Sequence, residues 1–377
     1  MAPQLDKEDV AIPAGATVFV TGVNGLVGSY IVDELLARGY KVRGAVRSVE
    51  KSAWLVAYFE EKYGEGTLEL VEVPDFTVER CYHDVVKGTA AIIHTASPLS
   101  GSPSTIPLAT TSSLNILRAA SATPSITRVI LTSSSLAASY ASPGVSKTLG
   151  QETYNDEALS LVEHLPASTS GSDLWRAVYP ALKASSEKAC WTYMAEEKTG
   201  FEFYAVLPSV CFGAVLVPPH QGPASTIAWA KAAWSGENLH ALASVVPPQW
   251  SVPVRDAALL HVAALLKREC VPLFPSSSSS SPPPSFVTTN AHSLPPQRIF
   301  AFAHRFSFNS LIASYRALFP DREFPADIEE EAEDGCEAPR GEAEELLRWV
   351  KGSGWDGWEG MVGEMGGQIG RGRSEGM

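Results

Sequence analysis

Several features that would tie a protein to a membrane, an oxidising compartment or nucleic acid are scarce in this sequence. The five cysteines are odd in number and never form a C-x-x-C pair, so we expect a reducing compartment and neither a disulfide framework nor a bound metal. No run of about 18 apolar residues occurs, and residues 1–10 contain no apolar signal segment, which predicts a cytoplasmic protein with no membrane partner. Only 29 basic residues stand against 42 acidic ones, which argues against a nucleic-acid partner.

The 377 residues are enough for one large α/β domain or two smaller ones. Short apolar runs alternate with amphipathic stretches as far as about residue 210, and this alternation predicts parallel strands with helices on both faces of the sheet. We expect the acidic run at 328–334 to be a solvated surface. We divide the chain into a main domain at 13–210 with a returning segment near 250–266, a smaller region at 211–250 and 286–359, a low-complexity Ser/Pro loop at 275–285, and a disordered glycine-rich tail at 360–377.

Residues 17–28 read TVFVTGVNGLVG, a short β-branched run followed by a glycine-rich turn. Apolar residues then recur at helical spacing, so the pattern predicts a strand, a tight turn and a helix. Gly22, Gly25 and Gly28 allow positive φ, let a phosphate reach bare backbone and let the helix pack closely on the strand. The helix N-terminus offers unpaired N–H groups to an anion. The stretch therefore predicts a dinucleotide-binding turn.

The end of the second predicted strand, at 41–46, indicates which dinucleotide binds. A site for NAD carries an acid about 20 residues after the glycines, whereas a site for NADP carries a cation for the 2′-phosphate. This chain has Arg43, Arg47 and Lys51 here, and no acid before Glu50. We predict that Arg47 binds the 2′-phosphate, since its guanidinium can form two parallel hydrogen bonds, and that Lys51 adds charge. The alternative is that these basic residues are solvated cations at a strand end with no role in cofactor binding.

A serine run and a Tyr/Lys pair predict chemistry at the same edge of the sheet. Ser133, Ser134 and Ser135 follow the fifth predicted strand, and Tyr179 and Lys183 lie one helical turn apart further along the chain. A free tyrosine has a pKa near 10, and a neighbouring ammonium would bring that pKa towards neutrality, so that the phenol can transfer protons. A serine hydroxyl can polarise a substrate carbonyl. The three elements in this order indicate proton transfer beside a dinucleotide.

Together these stretches resemble the extended short-chain dehydrogenase/reductases, the NAD-dependent epimerase/dehydratase family. The segments that carry the resemblance are TGVNGLVG at 21–28, VRS at 46–48, PDFT at 74–77, IHTASP at 93–98, LTSS at 131–134, YPALK at 179–183 and VRD at 254–256. Within the family the chain is most similar to the NADPH-dependent ketone and aldehyde reductases, which include dihydroflavonol 4-reductase and the fungal methylglyoxal-type reductases. The resemblance implies a Rossmann-type doubly wound α/β fold, NADPH as cofactor and a small C-terminal substrate-binding region.

The resemblance also implies roles for individual residues. Ser134, with Ser135 as the second candidate, would hold the substrate carbonyl, and Tyr179 would donate the proton. Lys183 would adjust the pKa of Tyr179 and hold the cofactor ribose. Tyr179 and Lys183 would therefore both contact the cofactor as well. The remaining implied cofactor-binding residues are Asn24, Leu26 and Val27 in the glycine turn, Asp75 and Phe76 at the adenine, Thr95, Ala96 and Ser97 along the cofactor, and Pro208 and Val210 at the nicotinamide. For His94 and Asn115 we favour structural roles.

Three positions depart from the family pattern. Pro180 follows the tyrosine directly, and because proline fits only the first turn of a helix, we expect the helix to begin at or just before Tyr179, or to kink there. Ser209 and Ala214 stand where related reductases commonly carry Asn and Pro. Both lie at the predicted nicotinamide end, so its geometry is expected to differ from that of the related reductases.

The sequence therefore predicts an NADPH-dependent reductase that transfers a hydride to a ketone or aldehyde carbonyl, with Tyr179 as general acid and a hydrophobic small molecule as substrate. A nucleotide-sugar epimerase/dehydratase or a hydroxysteroid-type dehydrogenase is the alternative within the family. Arg47 in place of an acid disfavours the NAD-using epimerases. A non-catalytic NADP-sensing regulator is the alternative outside enzymes, and Pro180 is the main feature in its favour. The sequence carries no signal for an oligomeric state.

Overall fold

The structure, a computed structural model, describes residues 5–98, 100–166, 168–222, 225–268 and 297–374. Within them the strands are β1 (Thr17–Thr21), β2 (Lys41–Val46), β3 (Leu68–Glu72), β4 (Ala91–His94), β5 (Arg128–Thr132), β6 (Lys147–Thr148), β7 (Glu202–Pro208), β8 (Val210–Phe212), β9 (Gln249–Pro253), β10 (Arg298–Ala301), β11 (His304–Phe306) and β12 (Cys336–Glu337). The helices are α1 (Leu26–Leu36), α2 (Val49–Tyr63), α3 (Thr105–Ser121), α4 (Asp156–Glu163), α5 (Gly171–Glu196), α6 (Pro218–Gln221), α7 (Ser225–Ser235), α8 (Leu239–Ala243), α9 (Val254–Leu266), α10 (Phe308–Leu318), α11 (Arg340–Lys351) and α12 (Trp358–Ser374). The Ser/Pro loop predicted at 275–285 lies outside the described residues.

Seven of these strands form one parallel sheet in the order β10, β7, β5, β4, β1, β2, β3. Residues 18–20 of β1 are fully buried, because helices cover both faces of the sheet. The chain builds outward from β1 to β3 and then returns to place β4 on the other side of β1. This reversal leaves a crevice at the carboxyl ends of β1 and β4, where open α/β sheets bind their ligands. The predicted doubly wound parallel sheet is confirmed.

Helices on the two faces of the sheet bury different halves of the core. On one face α1, α2, α9 and α11 pack together, and α9 is buried along its whole length except at Arg255. Arg255 reaches α1, where its Nε lies 2.8 Å from the Glu34 carboxylate. On the other face α3 and α5 pack together over β4, β5 and β7. The helix that carries Tyr179 is therefore part of the main core.

After β7 the chain leaves the main sheet and builds a second core. β8, β9 and β11 form a small three-stranded sheet, and α7, α10 and α12 surround a separate apolar cluster. Trp234 lies inside this cluster, with Tyr315, Phe319 and Phe324 edge-on to it at ring-centroid distances of 5.0, 5.0 and 5.2 Å. Such edge-to-face contacts stabilise beyond the burial of area alone. The C-terminal region thus has apolar packing of its own.

The predicted disorder of residues 360–377 is wrong for the part that the structure describes. Most of this segment lies in α12, whose apolar stripe, including Met365 and Ile369, is buried in the second core. Two of the glycines that indicated disorder permit close packing instead, since a Cβ on Gly366 or Gly370 would lie 2.9 or 3.1 Å from the Trp234 ring. The helix interface is crowded at these two positions.

The acidic run at 328–334 is more than a solvated surface. Glu330 accepts the first two backbone N–H groups of α10, at 2.7 and 3.1 Å, and so caps that helix. Asp334 is buried and accepts the N–H groups of Ser142 and Cys336 at 2.8 and 2.9 Å. These carboxylates hold the C-terminal segment against the body of the protein.

Candidate active site

The glycine turn between β1 and α1 forms the floor of the crevice. Gly22 has a φ of 68°, in the left-handed region that favours glycine. A Cβ on Gly28 would lie 2.1 Å from the Gly22 carbonyl oxygen, so only glycine allows α1 to pack this closely on β1. Asn24 and Gly25 are exposed at the top of the turn. The strand, turn and helix predicted from the glycine spacing are all present.

The N-terminus of α1 is open to an anion. Its N-cap, Gly25, provides no side-chain cap, and the first turn, which begins with Leu26 and Val27, contains no acidic residue. Unpaired N–H groups and the positive end of the helix dipole there fit a dinucleotide pyrophosphate. Gln221 of α6 donates to the carbonyl oxygens of Asn24 and Gly25 at 3.3 and 3.2 Å. This side chain braces the turn through the turn's carbonyl oxygens and does not bind its N–H groups.

The end of β4 forms the wall beside the turn. The N–H groups of Thr95 and Ala96 donate to Thr21 Oγ1 at 3.1 and 3.0 Å, which joins the ends of β4 and β1. His94 is buried, with its Nδ1 2.9 Å from the same oxygen, and burial lowers its pKa to about 3. A neutral imidazole held in this way supports the structural role favoured for His94.

The basic residues at the end of β2 fall into two groups. Arg43 Nε lies 2.7 Å from the Glu69 carboxylate, and its Nη1 donates to two backbone carbonyls, so Arg43 belongs to the sheet edge. Arg47 and Lys51 are exposed, and neither side chain has a hydrogen bond or ion pair with the described residues. Because β1 and β2 are neighbours in parallel register, Arg47 follows the strand beside the glycine turn.

Two acids near this end of the sheet are already engaged. Glu72 accepts the N–H of Val49, at the start of α2, at 3.1 Å. Asp75 is exposed and accepts the hydroxyl and N–H of Thr77 at 2.6 and 2.8 Å, which lowers the pKa of its carboxyl. Neither carboxylate is paired with Arg47, which leaves that cation available.

Asn115 fixes the loop that follows β3. It is buried on α3, and its Nδ2 donates to the carbonyl oxygens of Phe76 and Val78 at 3.3 and 3.0 Å. These bonds hold the loop segment in which the resemblance places the adenine contacts. Asn115 therefore has the structural role that the sequence favoured, although it acts through hydrogen bonds rather than packing alone.

The serine strand end and the tyrosine helix meet beside the crevice. Ser134 lies close enough to Tyr179 to lower the pKa of its phenol, whereas Ser135 lines a separate small cavity. Lys183 Nζ donates to the Thr132 carbonyl at 3.0 Å and lies 6.0 Å from the centroid of the Tyr179 ring. The geometry thus brings Ser134, Tyr179 and Lys183 together. A second cavity, lined in part by Ala96, Ser97 and Lys183, connects this group to the end of β4.

Burial controls the protonation of the tyrosine and the lysine. It raises the pKa of Tyr179 above its usual value, and Ser134 opposes this only in part. Burial lowers the pKa of Lys183 to about 8, while Glu187 acts in the opposite direction. Burial outweighs any effect of the Lys183 ammonium on the pKa of Tyr179 in this structure, so Tyr179 is a protonated phenol at pH 7. A protonated phenol beside a serine hydroxyl is suited to donate a proton to a bound oxygen.

The helix that carries Tyr179 does not begin at this residue. It starts at Gly171, with Pro180 in its interior, so the predicted helix start is wrong. Proline removes one N–H and crowds the carbonyl four residues earlier. That carbonyl, of Arg176, accepts a hydrogen bond from the Tyr140 hydroxyl at 3.0 Å. A donor from outside the helix therefore replaces the missing one.

The chain is similar to known proteins along almost its whole length. The sequence profile of the NAD dependent epimerase/dehydratase family matches residues 18–272. Aldehyde reductase 2 from Sporidiobolus salmonicolor is 34% identical over 352 residues, which cover 92% of this chain and 94% of that protein. A ketoreductase from Penicillium rubens is 33% identical, covering 91% of this chain and 94% of that protein. This chain belongs to the NAD dependent epimerase/dehydratase family.

A solved structure shares the fold of this epimerase/dehydratase family member. Yeast methylglyoxal/isovaleraldehyde reductase, determined in complex with NADPH, superposes with a TM-score of 0.73 at 24% sequence identity. The superposition covers 96% of this chain and 99% of that one. The shared fold therefore includes both the main Rossmann-type sheet and the C-terminal region.

Sequence reasoning missed an ion pair that supports the site of this family member. Glu187 lies one helical turn after Lys183 and is fully buried, and Arg298 Nε lies 2.6 Å from its carboxylate. Ser133 donates to the same carboxylate at 2.5 Å, and Arg298 donates to two further backbone carbonyls at 3.1 and 2.6 Å. The helical spacing between Tyr179 and Glu187 on α5 could have indicated Glu187. Nothing in the sequence indicated Arg298, because it lies in none of the motifs that carry the resemblance.

Trp175 is a second residue whose place the sequence did not reveal. It lies one helical turn before Tyr179, and the two rings stack with centroids 4.7 Å apart and planes 7° apart. The Trp175 side chain is 40% exposed, so its outer face is open to a ligand. The family member thus has an aromatic surface directly against the tyrosine.

The predicted nicotinamide end lies where the chain leaves the main sheet. Pro208 ends β7 and Val210 begins β8, with Ser209 between them. Ser209 Oγ donates to the Ala301 carbonyl at 2.9 Å. The Ala214 carbonyl accepts a hydrogen bond from the Tyr30 hydroxyl, 2.8 Å away. Both departures from the family pattern thus occur at positions with defined backbone contacts, and this bend is well anchored.

Within the described part of the chain, no helix has the length and apolar character needed to cross a membrane. The same residues contain no group of His, Cys, Asp and Glu side chains arranged to hold a metal ion. The cysteines that the structure describes are unpaired thiols: Cys81, Cys190, Cys211 and Cys336.

Proposed function

We propose that this family member is an NADPH-dependent carbonyl reductase, which transfers a hydride to a ketone or aldehyde and yields an alcohol. The grouping of Ser134 beside Tyr179, with Lys183 Nζ 6.0 Å from the centroid of the Tyr179 ring, carries the proposal. These groups lie at the edge of the sheet that also carries the glycine turn, so a carbonyl and a dinucleotide can meet there. The similarity of this chain to an aldehyde reductase and a ketoreductase supports the same reaction class.

Bound NADPH supplies the hydride that adds to the carbonyl carbon of the substrate. Ser134 donates a hydrogen bond to the carbonyl oxygen and holds it beside Tyr179. Tyr179 gives its proton to that oxygen as negative charge develops there. Lys183 stabilises the resulting phenolate through its positive charge. The Lys183 ammonium has three N–H donors, of which one binds the Thr132 carbonyl, so two can hold the cofactor ribose.

The adenosine end of the site suits NADP better than NAD. Arg47 and Lys51 are exposed cations, and a guanidinium can bind a phosphate through two parallel hydrogen bonds. The carboxylates of Glu72 and Asp75 already accept hydrogen bonds from neighbouring backbone. In this proposal Asp75 and Phe76 border the adenine, and Arg47 selects the 2′-phosphate.

We infer that the substrate is a small molecule with an apolar or aromatic body. Trp175 covers one face of Tyr179, and the Trp175 side chain is 40% exposed beside the proposed acid. An aromatic wall at the reacting group is typical of sites for hydrophobic ligands. The unpaired thiols agree with the cytoplasmic location that the sequence predicts.

The alternative of a non-catalytic sensor loses its main support. That hypothesis depended on Pro180 disturbing the helix and misplacing the tyrosine. Helix α5 continues through Pro180, and Tyr179 stays beside Ser134. A reductase is therefore the function that the site supports best.

Turnover of the purified protein, measured with NADPH and NADH on a panel of aromatic and aliphatic ketones and aldehydes, tests the proposal. We expect a preference for NADPH. Tyr179→Phe should lower kcat by about 10²- to 10⁴-fold, since it removes the acid. Tyr193→Phe is the matched control, because Tyr193 lies on the same helix and its hydroxyl bonds only Ser121 at the surface. Tight NADPH binding with no turnover on any panel member, or full turnover by Tyr179→Phe, would contradict the proposal.

A further inference from the structure

Helix α5 contains a proline one residue after the proposed acid. Pro180 has no N–H, so the Arg176 carbonyl receives no helical hydrogen bond from position 180. A proline inside a helix normally kinks or breaks it unless another group satisfies the released carbonyl. This site tolerates little displacement, because Tyr179 must stay within hydrogen-bonding reach of Ser134.

The Tyr140 side chain supplies the missing donor. Its hydroxyl donates to the Arg176 carbonyl at 3.0 Å. Burial raises the pKa of Tyr140, so the hydroxyl stays protonated and remains a donor. The backbone carbonyl of Tyr140 accepts the Ser139 hydroxyl at 2.7 Å, which fixes the residue at its base. Tyr140 is thus held at its backbone, and its hydroxyl reaches the Arg176 carbonyl at the surface.

Tyr140 belongs to the same loop as the proposed catalytic serine. Three other contacts join this strand end to α5: Thr132 carbonyl to Lys183, Ser133 to Glu187, and Ser134 to Tyr179. Lys183 and Glu187 lie on the C-terminal side of Tyr179, whereas Arg176 lies on its N-terminal side. The hydrogen bond from Tyr140 therefore completes a set of contacts that holds α5 on both the N-terminal and the C-terminal side of Tyr179.

We propose that Tyr140 is a positioning residue, which replaces the hydrogen bond lost at Pro180 and keeps Tyr179 aligned with Ser134. This inference rests on the proposed function for its effect on turnover. The hydrogen bond itself is independent of that function. Tyr140 and Pro180 thus form a compensating pair, in which the tyrosine is needed because the proline is present.

A double-mutant cycle of Tyr140→Phe and Pro180→Ala tests the pair, because alanine at 180 restores the N–H that the Arg176 carbonyl needs. With proline at 180 we expect Tyr140→Phe to lower kcat about five- to tenfold and to lower the thermal midpoint, with KM for NADPH within about twofold. In the Pro180→Ala background the same change should alter kcat by less than about twofold. Equal losses in both backgrounds, or no loss in either, would overturn the proposal.

Tyr40→Phe is the control for loss of a tyrosine hydroxyl that donates to a backbone carbonyl, since Tyr40 donates to the Ile12 carbonyl at the same distance of 3.0 Å. It should lower the thermal midpoint equally with proline or alanine at 180 and leave kcat unchanged. If Tyr140→Phe folds only with alanine at 180, that rescue supports the pair, and failure to fold in both backgrounds refutes it. If Tyr179→Phe retains turnover, the proposed function is wrong. The hydrogen bond from Tyr140 can still be tested in that case, by comparing how far Tyr140→Phe lowers the thermal midpoint with proline and with alanine at 180.

Discussion

The crevice has two edges that are held in different ways. The glycine edge, residues 22–28, is held by its own backbone: the Gly25 N–H donates to the Gly22 carbonyl, and the Ser29 N–H donates to the Gly25 carbonyl, both at 3.0 Å. The tyrosine edge, residues 132–140 with α5, is held by side chains. Its buried ion pair joins Glu187 to Arg298, which is 111 positions away in the chain. The glycine edge depends largely on consecutive residues, with Gln221 of α6 as an added brace, whereas the tyrosine edge depends on distant ones.

This difference separates the two parts of the reaction. The glycine edge offers backbone N–H groups to a pyrophosphate, so changes there should reduce NADPH affinity first. The tyrosine edge positions a proton donor, and a small displacement of a catalytic group can reduce turnover strongly. We therefore expect substitutions at the glycine edge to change mainly NADPH affinity, and substitutions at the tyrosine edge to change mainly kcat.

The largest effect should come from Glu187→Gln. Glutamine keeps the shape of the side chain but removes its charge, so Arg298 is left fully buried without a counter-charge. Breaking a buried pair in this way costs about 3–5 kcal/mol of the free energy of unfolding, which urea denaturation measures. We expect kcat to fall more steeply than NADPH affinity, because the tyrosine edge loses its anchor.

Arg348→Met is the control for Glu187→Gln. The Arg348–Glu344 ion pair joins neighbouring turns of α11, and the Arg348 side chain is 58% exposed. Its loss should change the free energy of unfolding by less than about 0.5 kcal/mol. If Glu187→Gln costs no more than this control, or weakens NADPH binding while kcat is kept, the two edges are not separate as we describe.

The sequence predicts the glycine edge well because the signal is local. The φ of Gly22 and the close packing at Gly28 follow from residues within one turn of each other. Tyr179 and Lys183 are predicted equally well, since residues four positions apart on a helix lie on the same face. The parallel sheet is also predicted from a local signal, the alternation of strands and helices along the chain.

The remaining features depend on contacts between distant segments, which spacing cannot reveal. Pro180 indicates a helix start until Tyr140 is known to serve the Arg176 carbonyl. The glycines of α12 indicate disorder until Trp234 is known to lie against Gly366. In both cases a residue that is locally unfavourable is explained by a partner far along the chain.

The next effect in size should come from Gly28→Ala at the glycine edge. A Cβ there would lie 2.1 Å from the Gly22 carbonyl oxygen, so α1 must move away from β1. Overpacking of this kind costs about 1–3 kcal/mol, and here we expect it mainly as an NADPH dissociation constant raised at least about tenfold. Fluorescence titration with NADPH measures this constant.

Gly341→Ala is the control for Gly28→Ala. Gly341 also lies in the first turn of a helix, α11, but nothing is within 4 Å of its Cβ position. Alanine there should stabilise the protein by about 0.5–1 kcal/mol and leave NADPH binding unchanged. Unchanged NADPH affinity in Gly28→Ala would show that the turn tolerates displacement, contrary to our account of this edge.

The smallest effect that we predict is a dependence on pH at the tyrosine edge. Burial lowers the pKa of Lys183 to about 8, so its ammonium is lost as the pH rises through 8 and is kept below that pH. Burial raises the pKa of Tyr179, so the phenol stays protonated over the same range. Because kcat/KM reports groups of the free enzyme, kcat/KM for NADPH should be flat below pH 8 and fall above it.

Lys183→Arg tests this assignment, since a guanidinium stays charged at any pH at which the protein can be assayed. The variant should be less active, because arginine does not match the geometry of lysine, but its profile should lose the break near pH 8. A break that persists in Lys183→Arg would belong to another group. The charge at the tyrosine edge would then depend on a residue other than the one that contacts both Thr132 and the face of Tyr179.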